Sequence, residues 1–325
     1  MGLKLSQGFG VKLRALALLV VVASAAACGS GSTSSGGSTA KKVVGIVEIT
    51  PDPYTTITVD AIKAAAAAAG WDSLVVDTEG SVDQANSTMV TFAHRPVTAM
   101  VVTVYATTSL GEGIAAANAA HVPVISFSGG YIPTIAGAVD GNGGPEMVAR
   151  MLQDIGQGGS VLEFTYHPGQ PCLLREEAFN EATANDPTLN LTTHEVNINN
   201  AIADADTTAA AWIATHPKPP LAIFACYDDP AVGSIAALKA AGFTPGQVKI
   251  YGFNLSANAQ PEIKDGWMEA SMWFDVKGAG TLCFQLAQQA AAAGSKWKSK
   301  EVQIPNEIVD ANNFAAWQAA HPNGN

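Results

Sequence analysis

The chain has 325 residues, of which 48% are hydrophobic and 14% charged, which suits one large globular domain or two ordinary ones. Its 17 basic and 28 acidic residues give a formal net charge of −11. This acidic balance, with no cluster of basic residues, argues against nucleic acid as a partner.

The first 27 residues have the pattern of an export signal. Lys4, Lys12 and Arg14 precede the apolar run 15–23, which is too short to cross a bilayer as a permanent anchor. Three alanines then precede Cys28, a sequence that resembles the lipobox of bacterial lipoproteins, whose cysteine is lipidated and becomes the new N-terminus. A buried N-terminal helix is the alternative interpretation.

Residues 29–39 consist only of glycine, serine and threonine and are typical of a flexible tether, which we place at 28–41. We therefore expect a protein held on the extracytoplasmic face of the cell membrane by the lipid on Cys28. Without residues 1–27, which contain three basic residues and no acidic one, the formal net charge is −14. No later apolar stretch reaches transmembrane length.

After the tether, short β-branched runs alternate with helical stretches. The predicted strands and helices, in chain order, are strand 43–47, helix 60–69, strand 74–77, helix 84–93, strand 99–104, helix 110–120 and strand 122–127. Such alternation is typical of βαβ units, which form a parallel sheet with helices on both faces.

A glycine-rich segment at 136–144 interrupts this rhythm, which then starts again. The second series is helix 146–155, strand 161–164, helix 175–183, strand 192–196, helix 204–214, strand 221–225, helix 231–241 and strand 248–253. Two similar series predict two doubly wound α/β lobes, with the first crossing between them near residue 140. Parallel sheets bind ligands beyond the carboxyl ends of their strands, so a cleft between the lobes is the expected site.

Four short motifs follow one another in the second half of the chain. They are AIFACYDD at 222–229, AVGSIAALKAAG at 231–242, IYGFN at 250–254 and IKDG at 263–266. In this order and spacing they resemble a strand with its Asn-Asp loop, the next helix, the V-G-F-D strand and the I-K-D-G turn of the periplasmic sugar-binding proteins of the ribose and galactose type. The resemblance extends from about residue 42 to 312.

That family has two lobes joined by three chain segments and delivers its ligand to ABC transporters. The resemblance implies a first lobe of 42–140 plus 276–303 and a second lobe of 141–275 plus 304–325. It implies a monomer that captures a small sugar or polyol by hinge closure and then docks on an ABC permease. We expect no catalytic residue, no metal and no cofactor.

The first predicted strand leads into Thr50-Pro51-Asp52-Pro53-Tyr54, where the family has an Asn-Pro-aromatic sequence. The resemblance implies that Asp52 bonds ligand hydroxyls and that the Tyr54 ring stacks on a sugar face. The alternative is an ordinary proline-rich turn with an exposed aspartate and a tyrosine packed on its own lobe.

Arg175 stands four residues before Phe179, as the ligand-binding arginine of the family stands before its phenylalanine. The resemblance implies that its guanidinium group donates to ligand oxygens. A surface ion pair with Glu176 or Glu177 is the alternative.

Tyr227 and Asp228 occupy the positions of the family's Asn-Asp pair, and Asn254 that of a ligand-binding aspartate. The resemblance implies ligand contacts by all three. For Asp228 the alternative is that it caps the helix that follows Pro230.

Phe274 lies near the family's hinge glutamine, and we expect one of Trp273, Phe274 and Asp275 to face the ligand. After the fourth strand the family has Asp-Arg, whereas this chain has Ser128-Gly129. We expect Ser128 to stand in for the lost charged pair. The ligand is then less hydroxylated than ribose or galactose, or is a polyol or unusual pentose held by other residues of the cleft.

Three cysteines follow Cys28 and show no zinc-binding spacing. The resemblance brings Cys172 and Cys226 to one rim of the cleft, so it implies a disulfide between them, while Cys283 lies in an apolar helical run and is expected to be a buried free thiol.

Two other functions are compatible with an exported α/β protein. A sensory binding protein that reports to a membrane receptor would have the same fold and cleft. An exported glycosidase would need two carboxylates facing each other across the substrate, which the adjacent Asp228 and Asp229 do not provide. The sequence also shows no nucleophile elbow, phosphate loop or metal set.

Overall fold

The computed structural model describes residues 41–216 and 218–322. Cys28, the predicted signal and the tether up to residue 40 lie outside the described residues. None of the helices in the described ranges is long and apolar enough to span a membrane.

Six strands of the first lobe form one sheet, in which every neighbouring pair is parallel. In their order across the sheet they are β11 (Lys300–Gln303), β5 (Gly137–Asp140), β4 (Val124–Phe127), β3 (Ala99–Thr103), β1 (Val43–Glu48) and β2 (Asp72–Asp77). The central strands are almost fully buried, as expected where helices cover both faces. The covering helices are α1 (Pro53–Ala68) and α9 (Val276–Ala293) on one face and α2 (Val82–Ala93) and α3 (Gly111–Ala119) on the other.

The second lobe repeats this plan with one difference at the sheet edge. Its strands, in order across the sheet, are β12 (Asn306–Asp310), β10 (Ala270–Phe274), β9 (Lys249–Phe253), β8 (Leu221–Ala225), β6 (Gly159–Thr165) and β7 (Leu189–Glu195). Only the edge strand β12 is antiparallel to its neighbour. Its helices are α4 (Gly144–Ile155), α5 (Gln170–Thr183), α6 (Ala201–Thr215), α7 (Asp228–Ala240), α8 (Ala259–Lys264) and α10 (Phe314–Ala320).

The chain passes between the two sheets after β5, after β10 and between β11 and β12. Two doubly wound α/β lobes, the fold class predicted from the sequence, are confirmed. The carboxyl ends of the parallel strands of each lobe carry the loops that line the cleft between the lobes.

The glycine-rich segment 136–144 contains a strand that the sequence did not predict. Strand β5 lies between β4 and β11, and a Cβ atom added at Gly137 would come within 2.8 Å of the Lys300 carbonyl oxygen. Glycine is therefore needed here for close approach of two backbones. The interpretation of this segment as a simple break is wrong, because the glycines allow pairing.

Two helices begin five or more residues earlier than predicted, and both shifts affect the cleft. Helix α1 begins at Pro53 instead of residue 60, so Tyr54 lies in its first turn. Helix α5 begins at Gln170 instead of residue 175, so Arg175 lies within the helix. Both helices have proline near the start, where its missing N–H group has no partner to lose.

Candidate functional site

The loops at the carboxyl ends of the two sheets contact each other directly. Four hydrogen bonds cross from one lobe to the other. They run from Gln170 N to Val104 O (2.9 Å), from Ala106 N to Pro168 O (3.3 Å), from Tyr166 Oη to Gly80 O (3.2 Å) and from Asn199 Nδ2 to Glu79 O (3.3 Å). The lobes are therefore closed on each other.

A cavity of about 40 Å³ lies inside this closed cleft. Ordinary ligand sites have volumes of ~300–1,000 Å³, so the cavity in this closed arrangement has room for water and not for a sugar. Both lobes line it, through the residues Ile49, Asp52, Tyr54, Val104, Tyr166, Gly169, Pro171, Cys172, Arg175, Ile198, Tyr227 and Asn254. Five of the predicted ligand residues are thus brought together: Asp52, Tyr54, Arg175, Tyr227 and Asn254.

A second cavity of about 10 Å³ is lined in part by the same residues. It shares four lining residues with the larger cavity and adds Pro53, Asp228, Asp229 and Ser256. Within the part of the chain that the structure describes, no group of three or more histidine, cysteine, aspartate or glutamate side chains is placed to hold a metal ion.

Arg175 is the most unusual residue of the cavity because its charged side chain is only 2% exposed. Its Nη1 donates to the Cys226 carbonyl oxygen, and its guanidinium carbon lies 4.0 Å from the centre of the Phe253 ring and 5.5 Å from that of Phe274. Burial lowers the pKa of the guanidinium to about 10, so it stays charged at neutral pH.

The other two donor nitrogens of Arg175, Nε and Nη2, are buried and have no hydrogen-bond partner among the described residues. A buried donor without a partner costs free energy, and the fork of a guanidinium group suits two oxygens at once. The alternative of a surface ion pair with Glu176 or Glu177 is wrong, because the side chain points inward. Arg175 can instead offer two donors to a ligand.

Asp52 is the N-cap of α1 and is partly buried at the cavity wall. Its Oδ1 accepts from Thr55 N (2.7 Å) and from Thr55 Oγ1 (3.0 Å), while the Thr55 hydroxyl oxygen accepts from Asp52 N (3.0 Å). Both of these bonds to the carboxylate end on Oδ1. Burial raises the pKa of Asp52 to about 6, against the lowering effect of the Thr55 bonds.

Tyr54 is buried beside Asp52, and its hydroxyl group shares a 2.8 Å hydrogen bond with Ser128 Oγ. Its ring packs 5.2 Å from Phe127 and 6.3 Å from Phe274, centre to centre. Ser128 itself lines neither cavity, so in this structure it holds the tyrosine and does not face the site. The predicted direct contact of Ser128 with the ligand stays a prediction.

Tyr227 and Asn254 reach the cavity from the carboxyl ends of β8 and β9. The Tyr227 hydroxyl group is buried without a hydrogen-bond partner among the described residues, and its burial raises its pKa above the usual value. Asn254 has a positive φ of 96°, a backbone conformation that asparagine tolerates better than most residues. Ligand contacts by both residues stay predictions, and both are in position to make them.

Asp228 is buried, and both of its oxygens accept bonds from its own lobe. Oδ2 accepts from Ser256 N (2.6 Å) and Oδ1 from Ser271 Oγ (2.7 Å). Burial raises its pKa to about 7. It does not cap the helix that follows, which begins at Asp228 itself. Asp228 thus fixes the loop after β9, and a ligand contact by its carboxylate stays a prediction.

Residues 273–275 line neither cavity, because each side chain has a place elsewhere. The Trp273 ring packs against Trp317 and His321 on the far side of the sheet. Phe274 lies behind Arg175, and Asp275 caps α9 by accepting from Gly278 N at 2.9 Å. The predicted ligand contacts by Phe274 and Asp275 stay predictions, and in the closed arrangement these side chains have the supporting roles described.

Aliphatic and aromatic side chains that the sequence motifs did not mark line the cavity beside the polar ones. These are Ile49, Val104, Tyr166 and Ile198. Val104 and Tyr166 directly follow β3 and β6, and Ile49 follows β1, so their position just after predicted strands was the available signal. Ile198 follows the exposed strand β7 and carried no comparable signal.

Cys172 and Cys226 form a disulfide, with their Cα atoms 5.1 Å apart, which is the pair that the resemblance implied. Among the described residues Cys283 is the free cysteine, and it is buried. The disulfide joins the first turn of α5 to the residue after β8. It therefore joins the same two segments as the hydrogen bond between Arg175 and the Cys226 carbonyl oxygen.

Two α/β lobes that close on a buried cavity define a class of two-lobed ligand-binding domains. The family described as "Periplasmic binding protein domain" matches residues 43–296. The chain belongs to this family. No curated protein sequence matches it.

Solved structures of similar fold come from several bacteria. A solute-binding protein of an ABC transporter from Bacillus halodurans, with bound myo-inositol, is 20% identical with a TM-score of 0.76, covering 87% of this chain and 99% of its own. One from Agrobacterium vitis, with bound allitol, is 20% identical with a TM-score of 0.78, covering 86% and 99%. A Mycobacterium smegmatis protein in complex with β-D-fucofuranose is 20% identical with a TM-score of 0.72, covering 86% and 94%. At these identities the likeness shows the fold.

Replacing both Cys172 and Cys226 by alanine should lower the free energy of unfolding by roughly 4 kcal/mol, because the disulfide closes a long loop in the unfolded chain. Urea denaturation of both proteins measures the difference. As a control, alkylation of the denatured, unreduced protein in a form without Cys28 should label one thiol, Cys283. Three labelled thiols would contradict the pairing.

Proposed function

We propose that this protein is the substrate-binding component of an ABC importer and captures a small sugar or polyol between its lobes. The observation that carries the proposal is the buried Arg175, whose two remaining donors have no partner among the described residues of the closed cleft. The related folds that hold myo-inositol, allitol and fucofuranose support it.

The polar groups of the cavity suit hydroxyl groups, which both donate and accept. Asp52 Oδ2 can accept from a ligand hydroxyl, and Arg175 can donate to two oxygens. The Tyr227 hydroxyl group can do either. The Tyr54 ring is held in the first turn of α1 and offers an aromatic surface to the C–H face of a sugar.

Ligand capture uses both lobes. Asp52 and Tyr54 belong to the first lobe, whereas Arg175, Tyr227 and Asn254 belong to the second. A ligand that contacts all of them makes its full set of bonds only when the cleft is closed, so it shifts the population toward the closed form. The lobes must separate to admit it, since the closed cavity holds about 40 Å³.

We place the protein on the extracytoplasmic face of the membrane, tethered by a lipid on Cys28 and acting as a monomer. The closed form docks on the permease through acidic residues at the rim. The tether lets the cleft turn toward the transporter while it stays close to the membrane.

A thermal-shift screen of pentoses, hexoses, polyols and amino acids tests the proposal. At least one sugar or polyol should raise the melting temperature, because a ligand that binds only the folded protein stabilises it in proportion to its concentration over Kd. Stabilisation by amino acids alone, or by no compound of the set, would contradict a sugar or polyol as ligand.

Replacing Arg175 by methionine should weaken the binding of the ligand found in the screen by about ten- to a hundredfold, because hydrogen bonds to a charged group are lost. Calorimetric titration measures the affinity, and circular dichroism checks the fold. The control is Arg95→Met, at an exposed arginine after α2, which should bind like the wild type. If Arg175→Met bound the ligand with wild-type affinity, Arg175 would not be a ligand-binding residue.

The affinity for the ligand should rise as the pH is raised through about 6, and it should change little at higher pH. The carboxylate form of Asp52 accepts from the ligand, and burial holds its pKa at about 6, so protonation below that pH opposes binding. Between pH 7 and pH 5 the affinity should fall by up to about tenfold. Asp52→Asn should bind more weakly at pH 7 and show a flatter profile, because the carboxyl group that titrates near pH 6 is gone. An equally steep profile in Asp52→Asn would assign the titration to another group.

A further inference from the structure

The cavity in the cleft has two chemically different ends. Asp52, Tyr54, Tyr227 and Asn254 line both the larger and the smaller cavity, so they lie where the two adjoin. Arg175 belongs with them, because it bonds the carbonyl oxygen directly before Tyr227 and lies over the ring directly before Asn254. The polar groups therefore gather at one end.

The other end is apolar. Ile49, Val104, Tyr166 and Ile198 line only the larger cavity. A Cβ atom added at Gly169 would lie 3.1 Å from Tyr166 Cδ1 and 3.4 Å from Val104 Cγ1, so these two side chains meet there.

Ile198 joins this group from the second lobe. A Cβ atom added at Gly80 would lie 3.0 Å from Ile198 Cγ2 and 2.6 Å from Tyr166 Oη. The Tyr166 hydroxyl group donates to the Gly80 carbonyl oxygen, so the tyrosine offers its ring to the cavity. Three side chains from three different loops, those of Val104, Tyr166 and Ile198, thus form a continuous apolar surface.

The backbone N–H groups of Ile49 and Val104 at this end already have hydrogen-bond partners. Ile49 N donates to Thr103 Oγ1 (3.1 Å), and Val104 N donates to the Phe127 carbonyl oxygen (2.7 Å). The Val104 carbonyl oxygen accepts from Gln170 N across the cleft. Neither of these N–H groups is left to donate to the oxygen of a ligand hydroxyl, so a hydroxyl group buried here would lose bonds to water that it regains only in part.

Val104 supplies a second, independent observation. Its φ of 68° lies in the left-handed region, which is strongly disfavoured for a β-branched residue. Such outliers persist where the surrounding structure holds them and tend to mark ligand sites. Glycine or asparagine would fit this backbone more easily, so the valine side chain is kept at a cost in stability and faces the cavity.

We propose that the cleft selects a deoxygenated sugar or polyol, which places a methyl group or an unhydroxylated carbon against Ile49, Val104 and Ile198 and its hydroxyl groups against Asp52 and Arg175. This inference rests on the proposed function. It names the feature that distinguishes the ligand within the class of sugars and polyols.

The preference follows from burial at the apolar end. A methyl group gains from leaving water, whereas a hydroxymethyl group at the same place is buried without a donor for its oxygen. Discrimination of this kind in an apolar pocket amounts to about ten- to a hundredfold in affinity.

Calorimetric titration with matched sugars tests the preference. The pairs are D-fucose and D-galactose, L-fucose and L-galactose, and L-rhamnose and L-mannose, which differ by the terminal hydroxyl group. At least one deoxy sugar should bind about tenfold or more tightly than its hydroxylated partner. Equal or tighter binding of the hydroxylated partner overturns the inference and leaves the proposed function intact.

The thermal-shift screen separates the remaining outcomes. If the protein binds a fully hydroxylated sugar or polyol and none of the deoxy sugars, the inference is overturned and the proposed function stands. If it binds no sugar or polyol at all, both are overturned.

The variant Val104→Asn tests the apolar end directly. Asparagine tolerates a positive φ, so the variant should keep or raise the melting temperature, while its amide gives a buried hydroxyl group a partner. The preference for the deoxy sugar should shrink or reverse. The control is Val90→Asn, on α2 outside the cavity, which should keep the wild-type preference. An unchanged preference in Val104→Asn overturns the inference.

Discussion

A guanidinium group buried at the meeting point of the two lobes is the constraint on which the site depends. Arg175 is 2% exposed, and no carboxylate of residues 41–216 or 218–322 pairs with it directly. The fold offsets the loss of hydration with a carbonyl oxygen and two phenylalanine rings, Phe253 and Phe274. This leaves Nε and Nη2 without protein partners among the described residues, and in the proposed function ligand oxygens fill these two places.

The neighbouring elements hold that charge in place. The disulfide fixes the start of α5 to the end of β8, one helical turn from Arg175, and the same strand end supplies the carbonyl oxygen. Asp228 fixes the loop after β9 through two bonds within its own lobe. Residues that resemblance alone marks as ligand contacts thus divide into those that face the cavity and those that position them. The division depends on hydrogen-bond partners, which a sequence motif does not reveal.

The sequence predicted the alternation of strands and helices because each element carries its own apolar pattern. It failed at β5, whose glycines look like a loop and in fact allow close strand pairing beside Lys300. It found Asp52, Arg175 and Tyr227 through local motifs. The apolar end escaped it, because Ile49, Val104 and Ile198 come from three separate loops, and closure of the lobes brings Ile198 to the other two. An isolated aliphatic residue after a strand indicates that its side chain is buried, but it does not indicate which other residues the side chain packs against.

Opposing contributions set the balance between the open and closed forms. Four hydrogen bonds between the lobes favour closure, each by ~0.5–1.5 kcal/mol. The buried donors of Arg175 and the buried hydroxyl group of Tyr227 oppose it, by ~1–3 kcal/mol for each group without a partner. A ligand that supplies acceptors to Arg175 removes the opposing contribution and keeps the bonds between the lobes, which makes ligand binding and closure one event.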